Sequence, residues 1–145
     1  MTLVADGDLP DQVIASLQTV KYPIMRWHEL GLPVRPDSHL MKALLSKGFR
    51  VLVTLDTGIP SQAYLYQYAA NGLTVVLLRW KRRTPRDWQQ MVKAVLTYGD
   101  EWETIAMKSP SVISVSNRSS RARAWTTIPP SIANSAKRLQ WTESQ

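Results

Sequence analysis

Short apolar runs alternate along this chain with stretches in which apolar residues recur every three or four positions, and that alternation predicts strands interleaved with helices. Leu3-Val4-Ala5 is an apolar run that stops at Asp6 and reads as a buried strand. Pro10 suits the first turn of a helix with Asp8 as its N-cap, and Val13, Ile14 and Leu17 share one face, with Val20 extending the stripe. Pro23–Trp27 predicts a second short strand, and Gly31-Leu32-Pro33 a loop. Pro36-Asp37-Ser38 opens a helix that turns Leu40, Met41, Leu44 and Leu45 inward and ends at Lys47-Gly48, a cation followed by a glycine.

The run Arg50-Val51-Leu52-Val53-Thr54-Leu55 is apolar enough to lie centrally in a parallel sheet. Thr57-Gly58-Ile59-Pro60 turns the chain into a helix near residues 61–70, which Asn71-Gly72 breaks before the buried strand 73–78. Thr84-Pro85 starts a long amphipathic helix carrying Trp88, Met91, Val92, Val95 and Leu96, with Trp102 and Ile105 continuing it past Gly99. Val112–Val115 and Arg121–Trp125 predict a hairpin around residues 117–120. The Ser-, Thr- and Pro-bearing remainder reads as a tail without a core of its own, and no internal repeat is present.

Strands alternating with helices imply one α/β domain over residues 1–125, followed by a tail over 126–145. The expected fold is a three-layer α/β/α sandwich with a mainly parallel central sheet and right-handed crossovers. Ligands of such sheets bind beyond the carboxyl ends of the strands. Asp6 and Asp56 both fall at such ends, so the fold itself brings them together.

Charge sharpens this picture. The net charge of +7 comes entirely from residues 71–145, which hold twelve basic and five acidic groups, whereas residues 1–70 hold six of each. A polyanion such as RNA fits that asymmetry, and a solvated basic surface kept for solubility fits it equally. Lys81-Arg82-Arg83 follows Arg79-Trp80 directly after a strand, at the same sheet end as Asp6 and Asp56. Arginine suits bidentate phosphate contacts and Trp80 suits base stacking. Arg121 and Arg123 would share one strand face as a basic stripe, a pattern that also protects an edge strand. Trp88 and Trp102 read as core.

With no cysteine, disulfides and thiolate metal sites are excluded. His28 and His39 lack zinc spacing, and neither a nucleophile elbow nor a Gly-rich phosphate loop occurs, which argues against dehydrogenase, kinase and serine-hydrolase chemistry. No apolar stretch reaches membrane-spanning length, and the opening residues lack a basic leader and apolar signal core, so a cytoplasmic protein is expected.

The segments around the acids resemble a family of small prokaryotic PIN-like proteins, relatives of the PIN-domain ribonucleases found as toxins in toxin–antitoxin pairs. Leu3-Val4-Ala5-Asp6-Gly7-Asp8-Leu9-Pro10 matches an opening strand followed by Asp, an acid, Asn, Leu and Pro. Asp37 matches the Asp that begins a helix, and Val51-Leu52-Val53-Thr54-Leu55-Asp56 the Asp that follows a Val-Leu-Val-Thr strand. A later strand ending in Arg fits Val75–Arg79, and a terminal hairpin fits residues 111–125. The resemblance implies Asp6, Asp37 and Asp56 as catalytic metal ligands for Mg²⁺ or Mn²⁺, with Asp8 as a further ligand. With the basic and aromatic residues read above, RNA is expected to be held by Arg79, Trp80, Lys81, Arg82, Arg83, Arg121 and Arg123. Expected partners are RNA, a small cognate antitoxin protein and a second copy of the chain as a homodimer, with no membrane. Gly7 and Gly58 stand where the family has acids, and Ile59 where it has Phe. These departures favour an alternative, a degenerate PIN-like module that binds RNA or a protein without cleaving. A response-regulator-like receiver shares acids at strand ends, but the Lys expected after a late strand is not evident.

Overall fold

The computed structural model describes residues 2–31, 37–55 and 72–124, with the side chains of residues 37–41 outside that description. Among these residues six strands form a single sheet: β1 (Leu3–Ala5), β2 (Ile24–Arg26), β3 (Val51–Thr54), β4 (Thr74–Leu78), β5 (Ser111–Val115) and β6 (Ser120–Ala124). Their spatial order is β2-β1-β3-β4-β5-β6, parallel throughout except for the antiparallel β5–β6 hairpin. Helix α1 (Asp11–Thr19) joins β1 to β2, α2 (Asp37–Ser46) lies between β2 and β3, and α3 (Pro85–Lys108) joins β4 to β5. The expected mixed α/β architecture with a mainly parallel sheet is therefore present.

Every residue of β1, β3 and β4 is buried, as strands covered on both faces must be. Alternate residues feed two cores. Leu3, Ala5, Val51, Val53, Val76, Leu78, Ile113 and Val115 pack under α1 and α3, against Val13, Leu17, Met91, Val95 and Trp102. Val4, Leu52, Val75 and Leu77 pack on the opposite face with Leu44 of α2.

Helix α3 is secured at its start by a reciprocal cap in which the Asp87 backbone N–H donates to Thr84 and Thr84 donates to the Asp87 carboxylate, with Pro85 in the first turn. It runs unbroken through Gly99 to Lys108. Its connection departs from expectation. β1 to β2 and β4 to β5 step in opposite directions across the sheet, yet α1 and α3 cover the same face. The two crossovers must therefore have opposite hands, which contradicts the uniformly right-handed expectation. The nine-residue α1 is too short to cover the apolar face over β3, β4 and β5, and α3 buries it instead.

Smaller departures concern helix ends. Val20 does not extend the α1 stripe: it falls past the last helical turn and is 59% exposed. Leu96 likewise faces outward at 48%. Trp27 leaves β2 and opens a single 3-10 turn, Trp27–Leu30. The predicted helix at 61–70, the turn at 57–60 and the tail at 126–145 lie outside the described residues.

Candidate functional site

The chain leaves β1 toward β2 at one edge, then returns across β1 to form β3 on its other side. The strand order thus reverses between β1 and β3, the place where open α/β sheets bind ligands. Asp6 is the first residue past β1, and Thr54 is the last residue of β3. The Asp6 N–H donates to the Val53 carbonyl at 2.9 Å, continuing the β1–β3 ladder by one bond.

Two carboxylates meet over that bond. Thr54 Oγ1 donates to Asp6 Oδ2 at 2.9 Å and lies 3.2 Å from Asp8 Oδ2. The Leu55 N–H donates to Asp8 Oδ1 at 3.1 Å, and the Gly7 N–H to Asp6 Oδ1 at 2.7 Å. A turn closed by Leu9 N–H to the Asp6 carbonyl, 3.2 Å, carries both acids. Asp8 is thus not the N-cap of α1 as expected. Pro10 occupies that position without any side-chain capping bond, because the Asp8 carboxylate is engaged on β3.

Two anions around one hydroxyl repel each other, and a cation between them would offset that cost. The donor set suits a hard cation, since carboxylate oxygens are the ligands such cations take. Among the described residues no three His, Cys, Asp or Glu side chains come together. Of the other expected ligands, α2 opens at Asp37, whose side chain is outside the description, and Asp56 lies outside the described residues altogether.

The basic residues lie beyond the neighbouring strands. Arg79 follows β4, and its N–H donates to the Val115 carbonyl at 2.8 Å, so its backbone is fixed to β5 while its side chain is exposed. Lys81, Arg82 and Arg83 are exposed in the loop before α3. Two further exposed cations join this end, Arg86 in the first turn of α3 and Arg118 in the β5–β6 hairpin. Arg86 was missed in the sequence because a lone arginine inside a helical pattern carries no positional signal.

Trp80 sits differently from the expected stacking platform. It packs against the core under α3, and its indole N–H donates to Gln90 Oε1 at 3.0 Å. Arg121 and Arg123 are exposed on β6 opposite Ser114 and Val112, so they share a face as expected, but they run away from the carboxylate end. Trp102 is fully buried, with its N–H on Ser120 Oγ at 2.9 Å.

These elements define a mixed α/β protein with a carboxylate pair at the reversal point of a mainly parallel sheet and a basic rim beside it. No family model, curated protein or solved structure matches the chain. No helix among the described residues is long and apolar enough to cross a membrane.

Proposed function

We propose that this protein is a PIN-like, Mg²⁺- or Mn²⁺-dependent endoribonuclease. The observation that supports it most is the pair of carboxylates, Asp6 and Asp8, gathered on the Thr54 hydroxyl at the sheet's reversal point. In this reading Asp6 and Asp8 hold the cation together with Asp37, at the opening of α2, and Asp56, two residues past the end of β3. A bound divalent cation lowers the pKa of a coordinated water and neutralises charge developing on a phosphate. The chain's own contribution is to fix the acids: the Thr54 hydroxyl and the Gly7 and Leu55 N–H groups orient them. Arg79, Lys81, Arg82, Arg83, Arg86 and Arg118 hold the RNA backbone alongside. A toxin role with a small antitoxin partner belongs to the same reading.

A second reading rests on the same hydrogen bonds. Every oxygen of the pair already accepts from the protein, and Gly7 supplies no carboxylate, as a binding module that has lost cleavage would show. Cleavage of a single-stranded RNA with and without Mn²⁺, by the wild type and by Asp6→Asn, decides between them. Mn²⁺-dependent cleavage abolished in the variant supports the nuclease. Binding without cleavage in both proteins supports the module, and neither binding nor cleavage defeats both.

A further inference from the structure

Arg26 is the one charged side chain buried among the described residues, and it grips a loop. The register pairs it with Ala5, the last residue before Asp6. Its Nη1 donates to the Leu9 carbonyl at 3.3 Å, and its Nη2 pairs with the Asp11 carboxylate. These contacts bracket Pro10 and so hold the exit of the turn whose entry is tied to β3 by Asp6. Trp27, the first residue past β2, lies beside the same turn. Trp27 Nε1 lies 3.5 Å from where a Cβ on Gly7 would stand. The Arg26 backbone is fixed in turn, its N–H donating to Glu29 Oε2 at 3.2 Å.

Burying a guanidinium costs free energy unless its donors are met. An ion pair with Asp11 alone offers a weak return, because the Asp11 side chain is 89% exposed. The Leu9 carbonyl is the buried partner, and Leu9 is one residue from Asp8. We infer that Arg26 is a positioning residue for the carboxylate pair, acting through the Leu9 carbonyl to keep Asp8 against β3 and in reach of a divalent cation. This rests on the cation-binding reading above. The guanidinium supports the turn from behind and touches neither carboxylate of the pair in the bonds described.

The test is Mn²⁺ titration by calorimetry of wild type, Asp11→Ala, Arg26→Met and Arg26→Lys, with amide hydrogen exchange followed at Gly7, Leu9 and Leu55 and at the β4 strand. Arg26→Met should weaken Mn²⁺ binding about 10-fold or more, the range found when support behind metal ligands is removed. Leu9 and Leu55 should lose protection while β4 keeps it. Arg26→Lys, with one donor able to reach the carbonyl, should fall between, and Asp11→Ala should match the wild type. Wild-type affinity and protection in Arg26→Met would overturn the inference. An equal loss in Asp11→Ala would also overturn it, by assigning the effect to the ion pair. If Arg26→Met does not fold, Arg26→Lys is judged by the same criteria. If the wild type binds no Mn²⁺, the cation reading fails, and protection at Leu9 and Leu55 alone decides whether Arg26 sets the turn.

Discussion

The phenol of Tyr22 occupies the space in which Gly99 would carry a side chain. A Cβ built on Gly99 would lie 1.7 Å from the Tyr22 hydroxyl oxygen and 2.7 Å from its ring carbon Cζ. Glycine in mid-helix normally costs stability, yet here it lets α3 close on Tyr22, in the segment between α1 and β2. Gly99→Ala should therefore destabilise the protein by about 1–3 kcal/mol, the usual cost of overpacking, despite its better helix propensity. Urea unfolding of Gly99→Ala alone and combined with Tyr22→Ala checks this. The tyrosine truncation should make the alanine at 99 tolerable, and an equal cost in both backgrounds would exclude the clash.

The same phenol predicts an alkaline transition. Burial, then the nearby charges of Glu103 and Asp100, push the Tyr22 hydroxyl from 10.0 up to about 12. Its buried oxygen has no hydrogen-bond partner among the described residues. The unfolded chain loses this proton near pH 10 while the folded protein keeps it. The folded state then binds more protons, so stability is intact below pH 10 and falls between about 10 and 12. Tyr22→Phe removes the titrating group and should flatten that limb. Melting temperatures from pH 8 to 11 in the two proteins make the comparison.

Thr54→Val replaces a hydroxyl by a methyl at nearly constant volume. It removes the donor shared by Asp6 and Asp8 at a fully buried position. A loss of about 1–3 kcal/mol is expected at neutral pH. If the pair binds a cation, Mn²⁺ affinity should fall as well. A stability loss with unaltered Mn²⁺ affinity would assign the hydroxyl a structural role alone.

Gly7→Asp should be tolerated. The left-handed glycines of the described residues are Gly31, Gly48 and Gly72, so Gly7 needs no glycine for its backbone. The contact with Trp27 Nε1 at 3.5 Å is ordinary van der Waals distance. The added carboxylate supplies another hard ligand and more negative charge. Without metal the variant should melt slightly below the wild type, and in millimolar Mn²⁺ it should gain more in melting temperature. An identical Mn²⁺ shift in both proteins would place position 7 outside the site.

Removing Lys81, Arg82 and Arg83 together by alanine should weaken RNA binding and flatten its salt dependence. Each lost phosphate contact lowers the slope of log affinity against log salt by about 0.7 for a single strand, or about 2 for three contacts. Fluorescence anisotropy with a labelled RNA between low and moderate salt measures it. Affinity and slope matching the wild type would mark the loop as a solvated surface.

Among the described residues most strands and helices were legible in the sequence, because their causes are local. Val51–Thr54 and Thr74–Leu78 are too uniformly apolar to be anything but buried strands, and Thr84-Pro85 with Asp87 carries a helix start within four residues. The same locality explains the errors at Val20 and Asp8. An apolar residue at helical spacing and an acid just before a helix have the right local pattern, and what they touch is decided elsewhere. Tertiary structure alone set the rest. Asp6 and Asp8 meet Thr54 across 48 and 46 positions because strand order places β1 beside β3. Arg26 is buried because β2 pairs in a register that sets it behind Leu9. Helix α3 covers the α1 face because that face was left bare over three strands. Backbone torsions and burial period are short-range properties written into neighbouring residues. Strand order, register and the face a helix covers depend on apolar area summed over the whole chain, which no local stretch of sequence contains.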